Sequence, residues 1–250
     1  MYVSLRDMRM TGNTILITGG GSGIGGGLAK AFHSLGNRVI VVGRRREVLE
    51  KSGMDFVVLD TRDRSRIESV AAEVIRRFPE LNVVINNAGV QRRHDFAASV
   101  DEAEINEEIQ TNIMGVIGTT AAFLPHLKTR PSTIINISSG LAFVPMAQYP
   151  VYCATKAFVH SFTVSLRHQL RNTSVRVIEV APPWVATDLG GPSTFEPAPG
   201  RGPMPLDEFI DAAMKDLASD VEELPVVGAR YLHKSGVAEG FRTAFEQMNS

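Results

Sequence analysis

The feature that most restricts what this chain can fold into is Thr18-Gly19-Gly20-Gly21-Ser22-Gly23-Ile24-Gly25, set between an apolar run at 13–18 and a helix-like segment at 25–35. Glycines there permit positive φ and let the backbone approach a pyrophosphate closely. The amides that open the following helix favour a phosphate charge. A tight strand-to-helix turn also needs glycine, so the cluster alone is weak. Its place after the first strand is what a dinucleotide-binding fold requires.

The rest of the chain repeats that alternation. Strand-like runs stand at 13–18, 38–42, 55–59, 82–86, 133–137 and 175–180, with a last short one at 225–227. Helix-like segments lie between them at 25–35, 45–51, 63–78, 101–127 and 151–172, and further ones at 206–218 and 239–248. In the third helix Ile67, Val70, Val74 and Phe78 share one side and Pro79 follows its end. Strands alternating with helices imply right-handed crossovers and a parallel sheet covered on both faces. The fold class is therefore α/β, a doubly wound Rossmann-type sheet, and with no repeat or linker residues 1–250 form one domain.

Composition narrows the partners. A net charge of −1 and the lack of a long basic run argue against nucleic acid. Cys153 is the only cysteine, so no intrachain disulfide forms and a reducing, cytoplasmic setting fits. No apolar run has the length of a membrane span, and the mixed residues 1–10 hold no apolar signal core. The six histidines show no metal-ligand spacing, so no metal is expected.

Chemistry concentrates at 137–156, where Ser139 follows the fifth strand and Tyr152 and Lys156 stand one helical turn apart on one face. A phenol is a poor acid or base near neutral pH unless a cation stabilises its anion, and a lysine one turn away can do that. A surface tyrosine with an ordinary neighbour has the same spacing, so the remaining motifs must decide. After the second strand comes Gly43-Arg44-Arg45-Arg46, where an NAD-specific fold would carry an acidic residue for the ribose hydroxyls. Arginines there suit a 2′-phosphate, which favours NADP(H) over NAD(H), with Arg44 as first ligand and Arg45 as helper.

With Thr18-Gly-x-x-x-Gly-x-Gly25, Asn86-Asn87-Ala88-Gly89, Asn112, Ser139 and Tyr152-x-x-x-Lys156 in this order, the chain resembles the short-chain dehydrogenase/reductase family, in its compact single-domain form. The likeness covers about residues 13–190, and the wording around Ser139 and Tyr152 is most similar to a DltE-like bacterial subgroup. The resemblance implies a sheet of seven strands and a nicotinamide cofactor. It carries a tetrad onto Asn112, Ser139, Tyr152 and Lys156, with Asn112 ordering a water that relays a proton to the lysine. It assigns Gly19, Ser22, Gly23, Ile24 and Gly25 to the pyrophosphate turn, Asp60 to the adenine and Asn87, Ala88 and Gly89 to the cofactor-facing end of the fourth strand. Asn86 would brace the sheet, and Tyr152 and Lys156 would also contact the cofactor. Val185 and Thr187 would hold the carboxamide, although Pro183 replaces the family's flexible glycine.

On this reading the chain interconverts a small-molecule carbonyl and a secondary alcohol by hydride transfer. Tyr152 acts as general acid/base and Ser139 as hydrogen-bond donor. Met146, Tyr149 and Trp184 are the substrate-wall candidates, because the loops after strands five and six edge the site. The Gly/Pro-rich stretch 188–205 reads as a substrate lid. Cys153 reads as a packing residue, and Gln91, Arg92, Arg93 and His94 as solvated loop residues near the mouth. The helices at 101–127 and 151–172 carry broad apolar stripes, and the resemblance implies a homodimer or homotetramer built from them. The alternatives are an NADP(H)-binding sensor or scaffold without turnover and an isomerase without net redox change.

Overall fold

The computed structural model describes residues 8–189, 202–236 and 247. Seven strands form one parallel sheet in the order β3-β2-β1-β4-β5-β6-β7. They are β1 Thr14–Thr18, β2 Arg38–Gly43, β3 Asp55–Val58, β4 Val83–Asn86, β5 Ser132–Ile137, β6 Val175–Ala181 and β7 Glu223–Pro225. The strand order reverses between β1 and β4, and the crevice beyond the carboxyl ends of those two strands is where such sheets hold ligands.

Alternation along each strand separates two cores. Ile15, Ile17, Val39 and Val41 point to one face and pack with Leu28 and Phe32 of α1 (Gly23–Ser34) and Phe209 and Ala213 of α7 (Leu206–Leu217). Leu16, Ile40, Val84, Ile134 and Val177 point to the other. They meet Val70 and Val74 of α3 (Arg64–Arg77), Phe123 and Leu127 of α5 (Gly115–Leu127) and Leu166 and Leu170 of α6 (Pro150–Leu170). Burying each such side chain contributes about 1.5–3 kcal/mol, which secures the crossovers against the sheet. The short α2 (Arg46–Glu50) follows β2, and α4 (Glu102–Ile109) starts on an Asp101 cap that accepts from the Ala103 and Glu104 amides.

Two expectations need correction. The segment at 101–127 is not one helix, because a π-helical turn, Gln110–Met114, separates α4 from α5. That wider turn holds Asn112, whose amide is pulled toward the β4 loop and α6, and such turns are frequent at functional sites. The last strand lies two residues earlier than 225–227, since Val227 takes φ 41° and turns the chain away. It leads into α8 (Ala229–Gly236), a short, mostly polar helix that periodicity did not reveal. Boundaries of the other elements shift by one or two residues, and the helix expected at 239–248 lies outside the described residues, Gln247 apart.

Candidate active site

Partly buried hydrogen bonds tie the glycine turn to the end of β4. The Thr18 hydroxyl accepts from the amides of Asn87 and Ala88 at 3.0 and 3.1 Å, and the Asn87 side-chain amide donates to the Thr18 and Gly19 carbonyls. Gly19 and Gly23 have φ of 65° and 53°, which side chains other than glycine rarely adopt. A β-carbon on Gly25 would stand 2.4 Å from the Gly19 carbonyl oxygen, so nothing larger fits. Ser22 opens α1 without a side-chain cap bond, which leaves the first-turn amides to an anion. Thr187 comes back to the same turn, its methyl 3.6 Å from where a Gly23 β-carbon would be. These residues fit a dinucleotide pyrophosphate.

Of the four residues expected to form the tetrad, Asn112 and Lys156 meet at Gly89. A β-carbon there would lie 3.4 Å from Asn112 Oδ1 and 3.7 Å from Lys156 Nζ. Asn112 is pinned on both sides: it donates to the Val90 carbonyl and accepts from the Val90 amide, both at 2.8 Å, and donates to Thr155 Oγ1 at 3.0 Å. Thr155 immediately precedes Lys156, so the π-turn and α6 are locked together beside the lysine. Lys156 Nζ donates to the Ile137 carbonyl at 2.8 Å and lies 5.6 Å from the centre of the Tyr152 ring. Ser139 caps the 3-10 turn Gly140–Ala142 by accepting from the Leu141 amide, and it hydrogen-bonds the Tyr152 phenol. Ser138 is buried and donates to the Val180 carbonyl.

Burial sets the electrostatics here. Tyr152 is pushed well above the ordinary phenol range by desolvation; the Ser139 bond opposes the rise and the nearby Cys153 and Glu108 add to it. Burial lowers Lys156 to about 8, with the Glu179 carboxylate partly offsetting it. The lysine's cation is therefore not the largest influence on the phenol. A neutral phenol suits a proton donor. Burial also holds the Cys153 thiol up at about 11, and its bonds to Met146 fix it as a packing residue rather than a nucleophile.

At the opposite end of the groove Arg44 is exposed and pairs with Glu107 of α4 at 3.3 Å. Glu107 also takes Arg62 at 3.3 Å and Arg92 at 3.1 Å. Burial would raise its carboxyl, but Arg92 and Arg44 outweigh that and hold it low. Asp60 is clasped by Arg62 at 2.6 Å, which lowers it below the usual carboxylate range. Arg45 is exposed at the start of α2.

The expected substrate residues are less gathered. Met146 and Tyr149 are half-buried in the loop before α6, and Trp184 is 43% exposed on the turn after β6. Val185 is buried and bridges Met204, while the Ala186 amide donates to the Met204 carbonyl. Of the stretch expected as a lid, residues 190–201 lie outside the described residues.

Several contributors escape a sequence reading. Thr18, Thr155 and Glu107 act through partners on other elements. His94, read as a solvated loop residue, is buried instead, its ring Nε2 2.7 Å from the fully buried Glu108 of α4. Glu108 also accepts from the Arg92 amide, so it anchors the loop after β4; burial raises its carboxyl pKa, and the His94 bond opposes this. A glutamate at an inward helix position was the available signal.

Comparison with known proteins agrees with this geometry. A family model described as short chain dehydrogenase matches residues 13–196. The oxidoreductase DltE of Bacillus subtilis (strain 168) is 40% identical over 97% of this chain and 99% of its own length. The NADP-dependent 3-hydroxy acid dehydrogenase YdfG of Salmonella typhi is 36% identical over 67% of this chain and 71% of its own. Among solved structures, a short chain dehydrogenase from Burkholderia cenocepacia J2315 in complex with NADP superposes with a TM-score of 0.83 at 27% identity, covering 96% of this chain and 98% of that one. From the sheet order, the glycine turn and these likenesses, the chain belongs to the short-chain dehydrogenase/reductase family of oxidoreductases.

Proposed function

We propose that this protein is an NADP(H)-dependent oxidoreductase that interconverts a carbonyl and a secondary alcohol, with Tyr152 as general acid/base. The observation that carries this reading is the buried Ser139–Tyr152 bond beside Lys156, with Asn112 locked against Thr155. Bound at the glycine turn, the nicotinamide supplies or accepts the hydride. The Tyr152 phenol gives its proton to the developing alkoxide oxygen, and Ser139 donates a hydrogen bond to the same oxygen. The Lys156 ammonium balances the charge left on Tyr152, and Asn112 keeps the proton path behind the lysine in place. Gly19, Ser22, Gly23, Ile24 and Gly25 hold the pyrophosphate, Asn87, Ala88 and Gly89 line the nicotinamide half, and Val185 and Thr187 hold the carboxamide.

The preference for NADP(H) rests on Arg44, an exposed cation at the end of β2 where an acidic residue would select NAD(H). The named NADP-dependent relative and the NADP-bound neighbour support it. Met146, Tyr149 and Trp184 are assigned to the substrate wall, and 188–205 to a lid. A homodimer or homotetramer is assigned to the surface where Phe96, Ile105 and Ile109 meet Val151, Ala154 and Phe158 in an apolar groove between α4 and α6. Among the described residues no helix is long and apolar enough to cross a membrane; a cytoplasmic place of action is part of the proposal.

The test is consumption of NADPH and NADH against sugars, keto acids, aromatic ketones and acyl substrates. Carbonyl-dependent NADPH oxidation is the expected result. Tight binding without consumption would favour a sensor, and product without consumption an isomerase.

A further inference from the structure

One face of the sheet carries a row of polar side chains that the catalytic reading does not use. Asn86, Asn136, Glu179 and Glu223 are register partners on β4, β5, β6 and β7. The first two are neutral and are tied in through their amide nitrogens: Asn86 donates to Asn136 Oδ1 and Thr120 Oγ1, and Asn136 donates to Thr163 Oγ1, although Asn86 Oδ1 has no partner. The two glutamates differ. They stand side by side on adjacent strands, where like charges destabilise a sheet. Glu179 is fully buried, and its Oε1 has no hydrogen-bond partner. A buried carboxylate oxygen left without a partner is costly unless a cation or donor reaches it.

Imidazoles stand next to both carboxylates. His160 of α6 has Nδ1 2.8 Å from Glu179 Oε2, and His233 of α8 bonds Glu223 through Nε2. Phe143 packs edge-on against both rings, with centroids 4.8 and 4.7 Å away, which limits their rotation. Ligand atoms of His160, Glu179 and Glu223 all lie within 4.8 Å of one another. Ligands about 2.0–2.2 Å from a shared tetrahedral zinc lie about 3.3–3.6 Å apart, so small side-chain rotations close the set.

We propose that His160, Glu179 and Glu223 form a binding site for a divalent cation of the zinc type, with His233 orienting Glu223. One imidazole and two carboxylates suit such an ion and leave a fourth position for water. Ligating carboxylates are themselves held by hydrogen bonds from outer groups, and His233 gives Glu223 such a bond. The ion would fill the open coordination of Glu179, remove the repulsion between the glutamates and clip α6 to β6 and β7. Spacing within the sequence gave no hint of it, because the ligands come from three separate elements.

The test uses the full chain, stripped with a chelator and titrated with zinc chloride, read by equilibrium dialysis and thermal unfolding. About one equivalent should bind per chain with a rise in Tm, and Glu223→Gln and His160→Gln should each weaken binding at least about tenfold. His168→Gln, on the same helix but outside the cluster, should leave binding unchanged. Cobalt(II) on the wild-type chain gives an independent reading should a variant fold poorly: intense visible bands of a four- or five-coordinate ion are expected. Failure to bind saturably, binding unaffected by both ligand variants, or the faint spectrum of a six-coordinate aqua ion would each overturn the proposal.

Discussion

The two ends of the proposed cofactor groove are built on opposite principles. At the catalytic end, Asn112, Ser139, Tyr152 and Lys156 are all buried and are held by backbone carbonyls, amides and neighbouring hydroxyls. At the adenosine end, Arg44, Asp60, Arg62, Arg92 and Glu107 form a chain of ion pairs open to solvent. Burial makes the first end rigid and moves its protonation equilibria. The second end is screened, adaptable and cheap to rearrange when an anionic ligand arrives. Chemistry needs fixed geometry, and recognition of a charged group tolerates exchange of partners.

That contrast orders the expected effects of substitution. Lys156→Ala removes a buried cation from the fixed end, and kcat for carbonyl reduction should fall by about a thousandfold, read in a steady-state NADPH assay. Arg44→Ser acts at the adaptable end, so it should raise KM for NADPH about ten- to hundredfold while NADH is little affected. Equal losses with both cofactors would remove Arg44 from phosphate recognition. Glu107→Gln should act in the opposite sense, because the carboxylate that occupies Arg44 and Arg62 also repels a phosphate. NADPH should bind about two- to fivefold tighter, within the range of exposed charge pairs.

A pH profile sharpens the comparison further. Lys156, lowered to about 8 by burial, is charged below that pH and neutral above it. Reduction should therefore decline as pH rises through about 8, and Lys156→Arg, which stays charged, should move or remove that decline. The exposed ion pairs predict a different signature, weakening of NADPH binding with added salt and little change over the same pH range.

What a reader of the sequence could see follows the same division. Gly25 was legible because its lack of a side chain is a backbone requirement, and the structure leaves no room for a β-carbon. Tyr152 and Lys156 were legible because one helical turn fixes their relation. The strand and helix pattern was legible because Ile15 and Ile17 alternate with Leu16 across two cores. The π-turn was not, because Asn112 bends its helix through bonds to Val90 and Thr155, which lie far away in sequence. Glu107 was not, because its three arginines come from three different loops. His94 looked like a loop residue until Glu108, from α4, buried it.

The central claim is that the buried phenol moves the proton, with Ser139, Lys156 and Asn112 supporting that step and the rest of the groove binding. Tyr152→Phe tests it most directly, with NADPH binding followed by fluorescence and carbonyl-dependent NADPH oxidation measured on the same preparation. Removing one hydroxyl from this site should abolish turnover, by a factor of about a thousand or more, and leave the NADPH dissociation constant within about twofold. A variant that reduces carbonyls at the wild-type rate would contradict the account.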